Sequence, residues 1–205
     1  NTVTHVFWEC IDAHAGARLT FTGNTTRYCG DGIALAGGTA THHTGSDITV
    51  SNNRLADSTK RGVIVAGQDD AVRADITIEN NTITGSTQPG IQAFNTNRMT
   101  IANNTIQESG AIGAYLDYNN RNFQITGNTF IDMWSNSAWT AAIHTAAAAG
   151  TNTGHISGNT LLRGTKQGFT YINDYGYYYR GGKTGITVTN NNFQTAQTAA
   201  IAGEE

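Results

Sequence analysis

The chain has 205 residues, only 13% of which are charged, and its formal net charge at pH 7 is −3. A weak and slightly acidic charge does not suit a nucleic-acid-binding protein, so we expect no nucleic-acid partner. No apolar run reaches the length of about 20 residues that a membrane-spanning helix needs, so we expect no membrane insertion.

A short sequence motif recurs seven times along the chain, and each copy is predicted to form a strand. The copies, such as LTFTGNTT from Leu19 and ITIENNTI from Ile76, alternate apolar and polar residues around an asparagine. Aligned on one asparagine, the copies fall at Asn24, Asn53, Asn81, Asn104, Asn128, Asn159 and Asn191. Successive copies are thus 23 to 32 residues apart. Internal periods of this length are typical of stacked repeat proteins.

A second strand is predicted about ten residues after most of these asparagines. A small residue there precedes alternating apolar positions, as in the segment Gly32-Ile33-Ala34-Leu35. The residues predicted to point into the core are Ile11, Ile33, Val63, Ile91, Ala114, Ile143 and Phe169. Both motifs have the period-two pattern and β-branched residues of strands. With short strands and no helix between them, the chain is predicted to be an all-β parallel β-helix of about seven turns.

The repeated asparagines are interpreted as structural. A bend between strands requires a residue that tolerates the left-handed region, which glycine and asparagine do best, and pairs such as Gly23-Asn24 and Asn80-Asn81 meet that need. Stacked along the axis, the asparagine amides can hydrogen-bond to one another as they do in cross-β stacks. We therefore expect an asparagine ladder and no ligand at this corner.

These repeats, of the form I-x-N-N-x-I followed by G-I, resemble the right-handed parallel β-helix superfamily, which is pectate-lyase-like. The resemblance covers nearly the whole chain and implies one solenoid domain over residues 1–205. Superfamily members include polysaccharide lyases, glycoside hydrolases, uronan epimerases and bacteriophage tailspike depolymerases, which implies a polysaccharide substrate. A solenoid needs polar caps over its end turns, and neither end of the sequence has an obvious one. We therefore expect the chain to be a fragment of a longer polypeptide.

The two cysteines, Cys10 and Cys29, are less than one turn apart. They could meet where adjacent turns bend, but a single pair does not establish an oxidising compartment, and we expect two buried free thiols. No spacing of cysteine and histidine resembles a zinc site, and the adjacent pair His42-His43 is interpreted as solvated. The sequence therefore predicts no metal site.

Side chains alternate between core and exterior along a strand, so the residue after each inward position is predicted to face outward. That outward column is Asp12, Ala34, Ile64, Gln92, Tyr115, His144 and Thr170. Two residues further along, the column is His14, Ala36, Ala66, Phe94, Asp117, Ala146 and Ile172. Most members are small or apolar, so the polar segment Asp12-Ala13-His14 is the main candidate for a functional site.

Asp12 and His14 are predicted to be catalytic because they project from the same face of one strand. The carboxylate can orient the imidazole and raise its basicity, which gives a general acid or base near neutral pH. Glu9 and Asp31 are added because they are predicted to align one turn apart, and carboxylates about 5 Å apart suit a retaining glycosidase. The structural alternative is that Asp12 caps a turn and His14 binds a neighbouring backbone group.

The run from Glu9 to Gly16 is similar to the Asp-Ala/Thr-His-Gly segment of phage-borne β-helix depolymerases and, more loosely, to the Asp-Pro-His segment of alginate C5-epimerases. In the epimerases the motif Asp and His act with a further Asp about one coil later, and Asp12, His14 and Asp31 match those positions. Ala13 departs from the epimerase pattern, which has proline there. The tailspike resemblance implies a homotrimer on the virion surface or another extracellular location, with Ile64, Phe94 and Ile172 against a neighbouring subunit.

Substrate-binding residues are predicted from cations, from outward polar positions and from aromatic side chains that can stack on sugar rings. They are Arg18, Arg61, Tyr115, Asp117, His144, Trp134 and Trp139. The run Tyr175, Tyr177, Tyr178 and Tyr179, followed by Arg180, is interpreted as a subunit contact, since interfaces are enriched in these residue types. Asp69-Asp70 is interpreted as a solvated loop segment.

The leading hypothesis is an extracellular glycan-degrading enzyme of the tailspike type. Hydrolysis is favoured over elimination by the two carboxylates one turn apart, and it needs no cofactor. Elimination requires a base and a cation that neutralises a uronate, so calcium is expected only in that case. The alternatives are a uronan C5-epimerase and a non-catalytic solenoid that binds glycan or acts as a spacer.

Overall fold

The structure is a computed structural model that describes residues 1–36, 45–68, 71–146 and 152–204. The pairs His42-His43 and Asp69-Asp70, which are interpreted above as solvated, lie outside these residues. Every regular element within the described ranges is a β-strand, and the strands are numbered β1 to β25 in chain order. Within the same ranges there is no helix of the length and apolar character needed to cross a membrane.

Three parallel sheets surround a common core, and each full turn of the chain passes through sheet 3, sheet 1 and sheet 2 in that order. Sheet 1 contains β1 (Thr2–Thr4), β4 (Thr25–Arg27), β7 (Arg54–Ala56), β10 (Thr82–Thr84), β13 (Thr105–Gln107), β17 (Thr129–Ile131) and β21 (Thr160–Leu162). Sheet 2 contains β2 (Glu9–Asp12), β5 (Asp31–Ala36), β8 (Val63–Ala66), β11 (Ile91–Phe94), β14 (Ile112–Leu116), β19 (Ala141–Ala146), β23 (Tyr175–Arg180) and β25 (Ala199–Glu204). Sheet 3 contains β3 (Gly16–Thr22), β6 (Gly45–Ser51), β9 (Arg73–Glu79), β12 (Thr96–Ala102), β16 (Phe123–Thr126), β20 (Gly154–Ser157) and β24 (Ile186–Thr189), with β15 (Asn120–Arg121) beside β12. A separate antiparallel pair joins β18 (Trp134–Ser135) to β22 (Tyr171–Ile172).

The repeats stack in register, as the sequence predicts. Leu19 pairs with Ile48, Ile48 with Ile76 and Ile76 with Met99, so the same position of each repeat faces the same position of the next. Sheet 1 has seven strands and sheet 2 has eight. The prediction of a parallel β-helix of about seven turns is therefore confirmed.

The core of the solenoid is built from one inward column per sheet. Ile83 of sheet 1, Ile91 of sheet 2 and Ile101 of sheet 3 are all 0% exposed. Each isoleucine buried in this way stabilises the fold by roughly 2 kcal/mol relative to an exposed one. Towards the first turn the packing is less complete, because Ile11, Leu19 and Phe21 are only partly buried.

The predicted asparagine ladder is present at the corner between sheets 3 and 1. Asn81 illustrates it: Nδ2 donates to Oδ1 of Asn104 at 2.9 Å, and Oδ1 accepts from Nδ2 of Asn53 at 2.9 Å. The same contact continues from Asn24 to Asn191, and Asn1 donates to Asn24 at 3.0 Å. The residue before each ladder asparagine has a positive φ, for example 65° at Gly23 and 55° at Asn80. Every turn therefore bends in the same way at this corner.

In the seventh turn the predicted register is wrong. Tyr177, at 0% exposure, takes the inward position beside Ile143, and Tyr178 and Arg180 take the outward positions predicted for Thr170 and Ile172. Phe169 precedes β22 in a loop and packs against Trp134, with ring centroids 4.2 Å apart. Gly168-Phe169 has the sequence pattern of the repeat, but Gly176-Tyr177 takes the core position. Glycine is needed at position 176 because a Cβ there would collide with Phe193.

The expectation of two free thiols is also wrong, because Cys10 and Cys29 form a disulfide with a Cα–Cα distance of 5.6 Å. The pairing of Glu9 with Asp31 brings β2 alongside the bend that precedes β5. Gly30 makes the approach possible, since a Cβ there would lie 2.5 Å from the carbonyl oxygen of Trp8. The first two turns are therefore covalently linked.

Two of the three apolar residues expected at a subunit contact are buried within the chain. Ile64 is 6% exposed and Ile172 is 5% exposed. Phe94 is half-buried and stacks on Tyr118 with ring centroids 5.5 Å apart. Ile64 and Ile172 therefore cannot contribute to an interface, contrary to the prediction.

Candidate active site

Asp12 and His14 lie together at the end of β2, the first strand of sheet 2. Nε2 of His14 is 2.7 Å from Oδ2 of Asp12. The imidazole is 59% exposed and the carboxylate 32% exposed, so both can be reached from solvent. The main chain between them is fixed to the next turn, because the N–H of Ala13 donates to the carbonyl of Ala34 at 2.9 Å. The two residues predicted to act together are therefore in direct contact.

The environment of Asp12 favours a carboxyl group that takes part in proton transfer. Partial burial is the main cause that raises the pKa of Asp12, and the nearby charge of Glu9 raises it further. The charges of His14 and Arg73 oppose that shift. A carboxyl group with a raised pKa that contacts an imidazole can take part in acid–base catalysis.

Asp31 lies in register with Glu9, as predicted, but it is fully engaged by Arg61. Nε of Arg61 donates to Oδ1 at 2.7 Å and Nη2 donates to Oδ2 at 2.9 Å. The main-chain N–H of Arg61 also donates to Oδ1, and Asp31 is only 2% exposed. A buried carboxylate in a bidentate ion pair is not available to attack a substrate or to transfer a proton. Asp31 is thus placed to anchor two turns, and Glu9 lacks the partner that the glycosidase prediction requires.

Arg61 is held on the outer face of sheet 2. Its Nη1 donates to Oε1 of Gln92 at 3.2 Å, and its side chain is 19% exposed. Because the guanidinium is shared between Asp31 and Gln92, it is committed to the contact between turns. Only the small exposed part of the Arg61 side chain could therefore make the contact with substrate that the sequence predicts.

Arg73 belongs to the same site, although the sequence analysis did not single it out. It lies in β9, it is 0% exposed, and its Nη2 donates to the carbonyl of His14. The sequence contained a signal: Gly16, Gly45 and Arg73 each lie three residues before the first apolar position of a repeat. Because the two glycines have no side chains, they leave a space in the two preceding turns that the long side chain of Arg73 can fill.

A second polar and aromatic cluster lies near the other end of sheet 2. His144 stacks on Tyr115 with ring centroids 4.9 Å apart and meets the edge of Trp139 at 5.0 Å. Tyr178 closes the cluster 5.5 Å from His144. His144 is only 5% exposed, and neither of its ring nitrogens has a hydrogen-bond partner among the described residues.

Burial dominates the ionisation of this cluster. It lowers the pKa of His144 to about 4, with a smaller contribution from the charge of Arg180. It also raises the pKa of Tyr115 to about 12, helped by the charge of Asp117 and by a hydrogen bond that the Tyr115 hydroxyl donates to that carboxylate. The predicted substrate residues Tyr115, Asp117, His144 and Trp139 are therefore brought together, with a neutral imidazole at their centre near pH 7.

The two clusters are separate. His144 lies five strands from Asp12 along sheet 2, which is about 24 Å at the usual spacing between strands. One small sugar cannot contact both, whereas a chain of several sugars can. The prediction that Asp12, His14 and His144 contact the same substrate therefore holds only for a long ligand.

Two other predicted substrate residues lie elsewhere. Arg18 is exposed on sheet 3, with a φ of 57°. Trp134 lies where sheets 1 and 2 meet, donates from Nε1 to the carbonyl of Glu108, and borders a depression of about 450 Å³. Neither belongs to the outward column that contains Asp12 and His144. Within the described ranges, no group of three or more histidine, cysteine or acidic side chains is arranged to hold a metal ion.

Comparison with known families decides the class of this solenoid. Residues 9–202 match the family described as "Right handed beta helix region". The chain belongs to the right-handed β-helix family. No protein with a curated description matches the sequence of this right-handed β-helix.

Solved structures with the same fold include tailspike protein 2 of Escherichia coli O157:H7 bacteriophage CAB120, at full length, with a TM-score of 0.58 and 14% identity. The match covers 88% of this chain and 24% of that one. The enzymatically active domain of tailspike protein 2 from bacteriophage CBA120 overlaps with a TM-score of 0.52 and 13% identity, over 88% of this chain and 27% of that one. The β-helix thus spans about a quarter of the length of the tailspike chains that it matches. An alginate lyase from Paenibacillus sp. str. FPU-7 has a TM-score of 0.39 at 12% identity, over 93% of this chain and 71% of that one.

Proposed function

We propose that this β-helix is a carbohydrate-active depolymerase that cleaves a bacterial surface or extracellular polysaccharide by acid–base chemistry at Asp12 and His14. The observation that supports it is the 2.7 Å contact between these two exposed side chains at the end of β2, the first strand of sheet 2. General acid–base catalysis requires such a pair within hydrogen-bond distance, with a pKa moved towards neutrality. Partial burial raises the pKa of Asp12, which is a shift in that direction.

Two reactions remain within this proposal. In hydrolysis, one group protonates the glycosidic oxygen while a second activates water, and Asp12 and His14 are proposed for these two roles because Asp31 is bound to Arg61. In elimination, a base removes the proton next to a uronate carboxylate, and a positive charge or calcium ion would stabilise the resulting anion. The anion then expels the neighbouring glycosidic oxygen, which takes up a proton, and a carbon–carbon double bond is left in the sugar. We propose no cofactor for hydrolysis and calcium only for elimination.

The substrate is proposed to be long because the residues that could contact it are spread along the axis. Asp12 lies about 24 Å from the cluster of Tyr115, Trp139 and His144 along sheet 2. Aromatic faces stack on sugar rings, and Trp139 is half-buried with part of its surface open. We propose a homotrimer on a virion surface as the setting, since the tailspike structures share this fold.

The test is to incubate the chain with a panel of neutral and acidic capsular and exopolysaccharides and to measure new reducing ends, ultraviolet absorbance and product masses. Hydrolysis gives reducing ends alone, whereas elimination also gives an unsaturated sugar that absorbs ultraviolet light. Wild-type protein should cleave at least one acidic or neutral glycan, and His14→Gln should reduce the rate at least about 100-fold. Equal rates for wild type and His14→Gln would contradict the proposal.

The matched control is Asp75→Asn. Asp75 forms an exposed ion pair with Arg98 on sheet 3, with Nε 2.6 Å from Oδ1, and it lies outside the outward face of sheet 2. This change removes one exposed carboxylate without touching Asp12 or His14. Its cleavage rate should equal that of the wild type.

A further inference from the structure

Arg73 is an unusual feature of this fold because it is the largest fully buried side chain among the described residues. Its Nη2 donates to the carbonyl of His14 and its Nε donates to the carbonyl of Ala66 at 3.5 Å. Its Nη1 is buried without a hydrogen-bond partner in the described part of the chain. A buried charge that contacts only main-chain oxygens is costly, so the arginine requires an explanation beyond packing.

A column of glycines makes room for the side chain. Gly16 pairs with Gly45 in neighbouring strands of sheet 3, and the pairing of Ser46 with Ala74 places Gly45 directly beside Arg73. A Cβ at Gly45 would collide with Nη1 and would lie 3.1 Å from Cζ of the guanidinium. The side chain therefore runs down this column from β9 past β6 towards β3, where it meets the segment that carries Asp12 and His14.

The charges around Asp12 are unevenly distributed. Glu9 and His14 face it from its own strand segment, and Arg73 faces it from sheet 3. Burial lowers the pKa of Arg73, and the charge of Asp12 acts in the opposite direction. Because the guanidinium is excluded from water, its field at the carboxylate is screened less than that of a surface cation.

We propose that Arg73 is the positioning residue of the Asp12–His14 pair, because it fixes the main chain at His14 through the glycine column and places a buried positive charge opposite Asp12. This role rests on the proposed function only as far as catalysis is concerned. The structural part, a charge coupling between two residues on different sheets, exists with or without a substrate.

The direct test is an NMR titration of the Asp12 carboxyl carbon in folded protein. Arg73→Gln removes the positive charge and should raise the pKa of Asp12. Arg73→Lys keeps a charge in the column and should leave the pKa of Asp12 closer to that of the wild type. An unchanged pKa of Asp12 in folded Arg73→Gln would overturn the proposal.

Gly45→Ala tests the same coupling without removing the arginine. Its methyl group occupies the place of Nη1 and should displace the guanidinium from the column, so the pKa of Asp12 should again rise. This variant decides the matter if Arg73→Gln does not fold, and an unchanged pKa of Asp12 would count against the proposal.

Arg98→Gln is the matched control for a general loss of charge. A hydrogen bond from Arg98 is the main cause of the lowered pKa of Asp75. Removing it should raise the pKa of Asp75 and leave that of Asp12 unchanged. If Arg98→Gln changed the pKa of Asp12 as much as Arg73→Gln does, the change would come from the net charge of the protein. The positioning role of Arg73 would then be refuted.

An activity readout separates this proposal from the proposed function. If the wild type cleaves polysaccharide, Arg73→Gln should move the acidic limb of the pH–rate profile to higher pH, whereas a purely structural loss would lower the rate equally at every pH. If the wild type cleaves nothing but the Asp12 titration still depends on Arg73, the proposed function fails and the positioning role stands.

Discussion

The asparagine corner and the outward face of sheet 2 are built by the same repeats but follow opposite rules. At the corner, each turn contributes the same residue with the same hydrogen bonds, from Asn24 to Asn191. On the outward face of sheet 2, neighbouring turns contribute Asp12, Ala34, Ile64 and Gln92, so no single residue type repeats from turn to turn. Repetition therefore marks the part of the molecule that maintains the stack, and its absence marks the part available for function.

The corner also satisfies its own polar groups. Asn81 donates to Asn104 and to the carbonyl of Val50, and it accepts from the main chain and side chain of Asn53, all at 2.9 Å. Nothing is left to attract a ligand. On the outward face, by contrast, His144 is buried with both nitrogens unpartnered among the described residues, and Asp12 and His14 remain open to solvent.

The largest expected effect comes from breaking the ladder in the middle. Asn81→Ala removes four hydrogen bonds and leaves buried donors on Asn53 without acceptors, so it should lower the free energy of unfolding by about 4 kcal/mol. Urea denaturation measures this change. The neighbouring control, Asn80→Gly, should cost less than about 1 kcal/mol because glycine already occupies that left-handed position at Gly23. Equal losses in both variants would contradict the assignment of the ladder.

The second prediction separates a structural from a catalytic role for Asp31. Asp31→Asn leaves the guanidinium of Arg61 without its buried counter-charge and should cost about 3 kcal/mol in stability. Its rate of polysaccharide cleavage per folded molecule should stay close to that of the wild type. A variant of unchanged stability that has lost its activity would show that the carboxylate takes part in catalysis after all.

The third prediction concerns the covalent link between the first two turns. Replacing both Cys10 and Cys29 by serine releases a loop with a sequence separation of 19 residues, and the unfolding free energy should fall by about 3 kcal/mol. The wild type treated with a reductant should show the same loss in chemical denaturation. The stability of the double variant should not change when the reductant is added. Any change would show that the loss in the wild type does not come from the Cys10–Cys29 disulfide.

The smallest of these effects is a pH dependence that originates at His144. The pKa of His144 is lowered to about 4, so the unfolded chain binds a proton at this residue below about pH 6.5 while the folded chain does not. Stability is complete above that pH and is lost as the pH falls towards 4. Between pH 7 and pH 4.5, the loss should be about 2 kcal/mol.

His144→Phe should remove this part of the pH dependence because it keeps an aromatic ring in the cluster without a titrating group. The control is His155→Phe, which changes an exposed histidine on sheet 3 and should leave the pH dependence intact. The midpoints of urea denaturation at pH 7 and pH 4.5 measure the pH dependence of each variant. If the two variants lost the pH dependence equally, His144 would not be its source.

The fold could be predicted because each repeat carries both its strands and its bend. Once Asn53 and Asn81 are taken as equivalent, the register of sheets 3 and 1 follows, and the structure agrees residue by residue. The prediction failed in the seventh turn, where Gly168-Phe169 imitates the repeat. Periodicity alone cannot tell which of two glycine–aromatic pairs fits a core that also contains Phe193.

The site was only partly predictable, because its contacts join residues that no repeat relates. The contact between Asp12 and His14 follows from alternation along one strand. The engagement of Asp31 by Arg61 depends on a side-chain geometry that spacing does not fix. Arg73 could have been found from the glycines aligned with it in the two preceding turns, but only if each repeat is extended three residues before its first apolar position.

The central claim is that Asp12 and His14 form the reaction centre, and the most direct measurement is kcat/KM for Asp12→Asn on a polysaccharide that the wild type cleaves. The variant keeps the shape of the side chain but cannot exchange a proton with the imidazole. Its kcat/KM should fall at least about 100-fold while that of Asp75→Asn stays at the wild-type value. A kcat/KM for Asp12→Asn within a few-fold of the wild type would contradict the account.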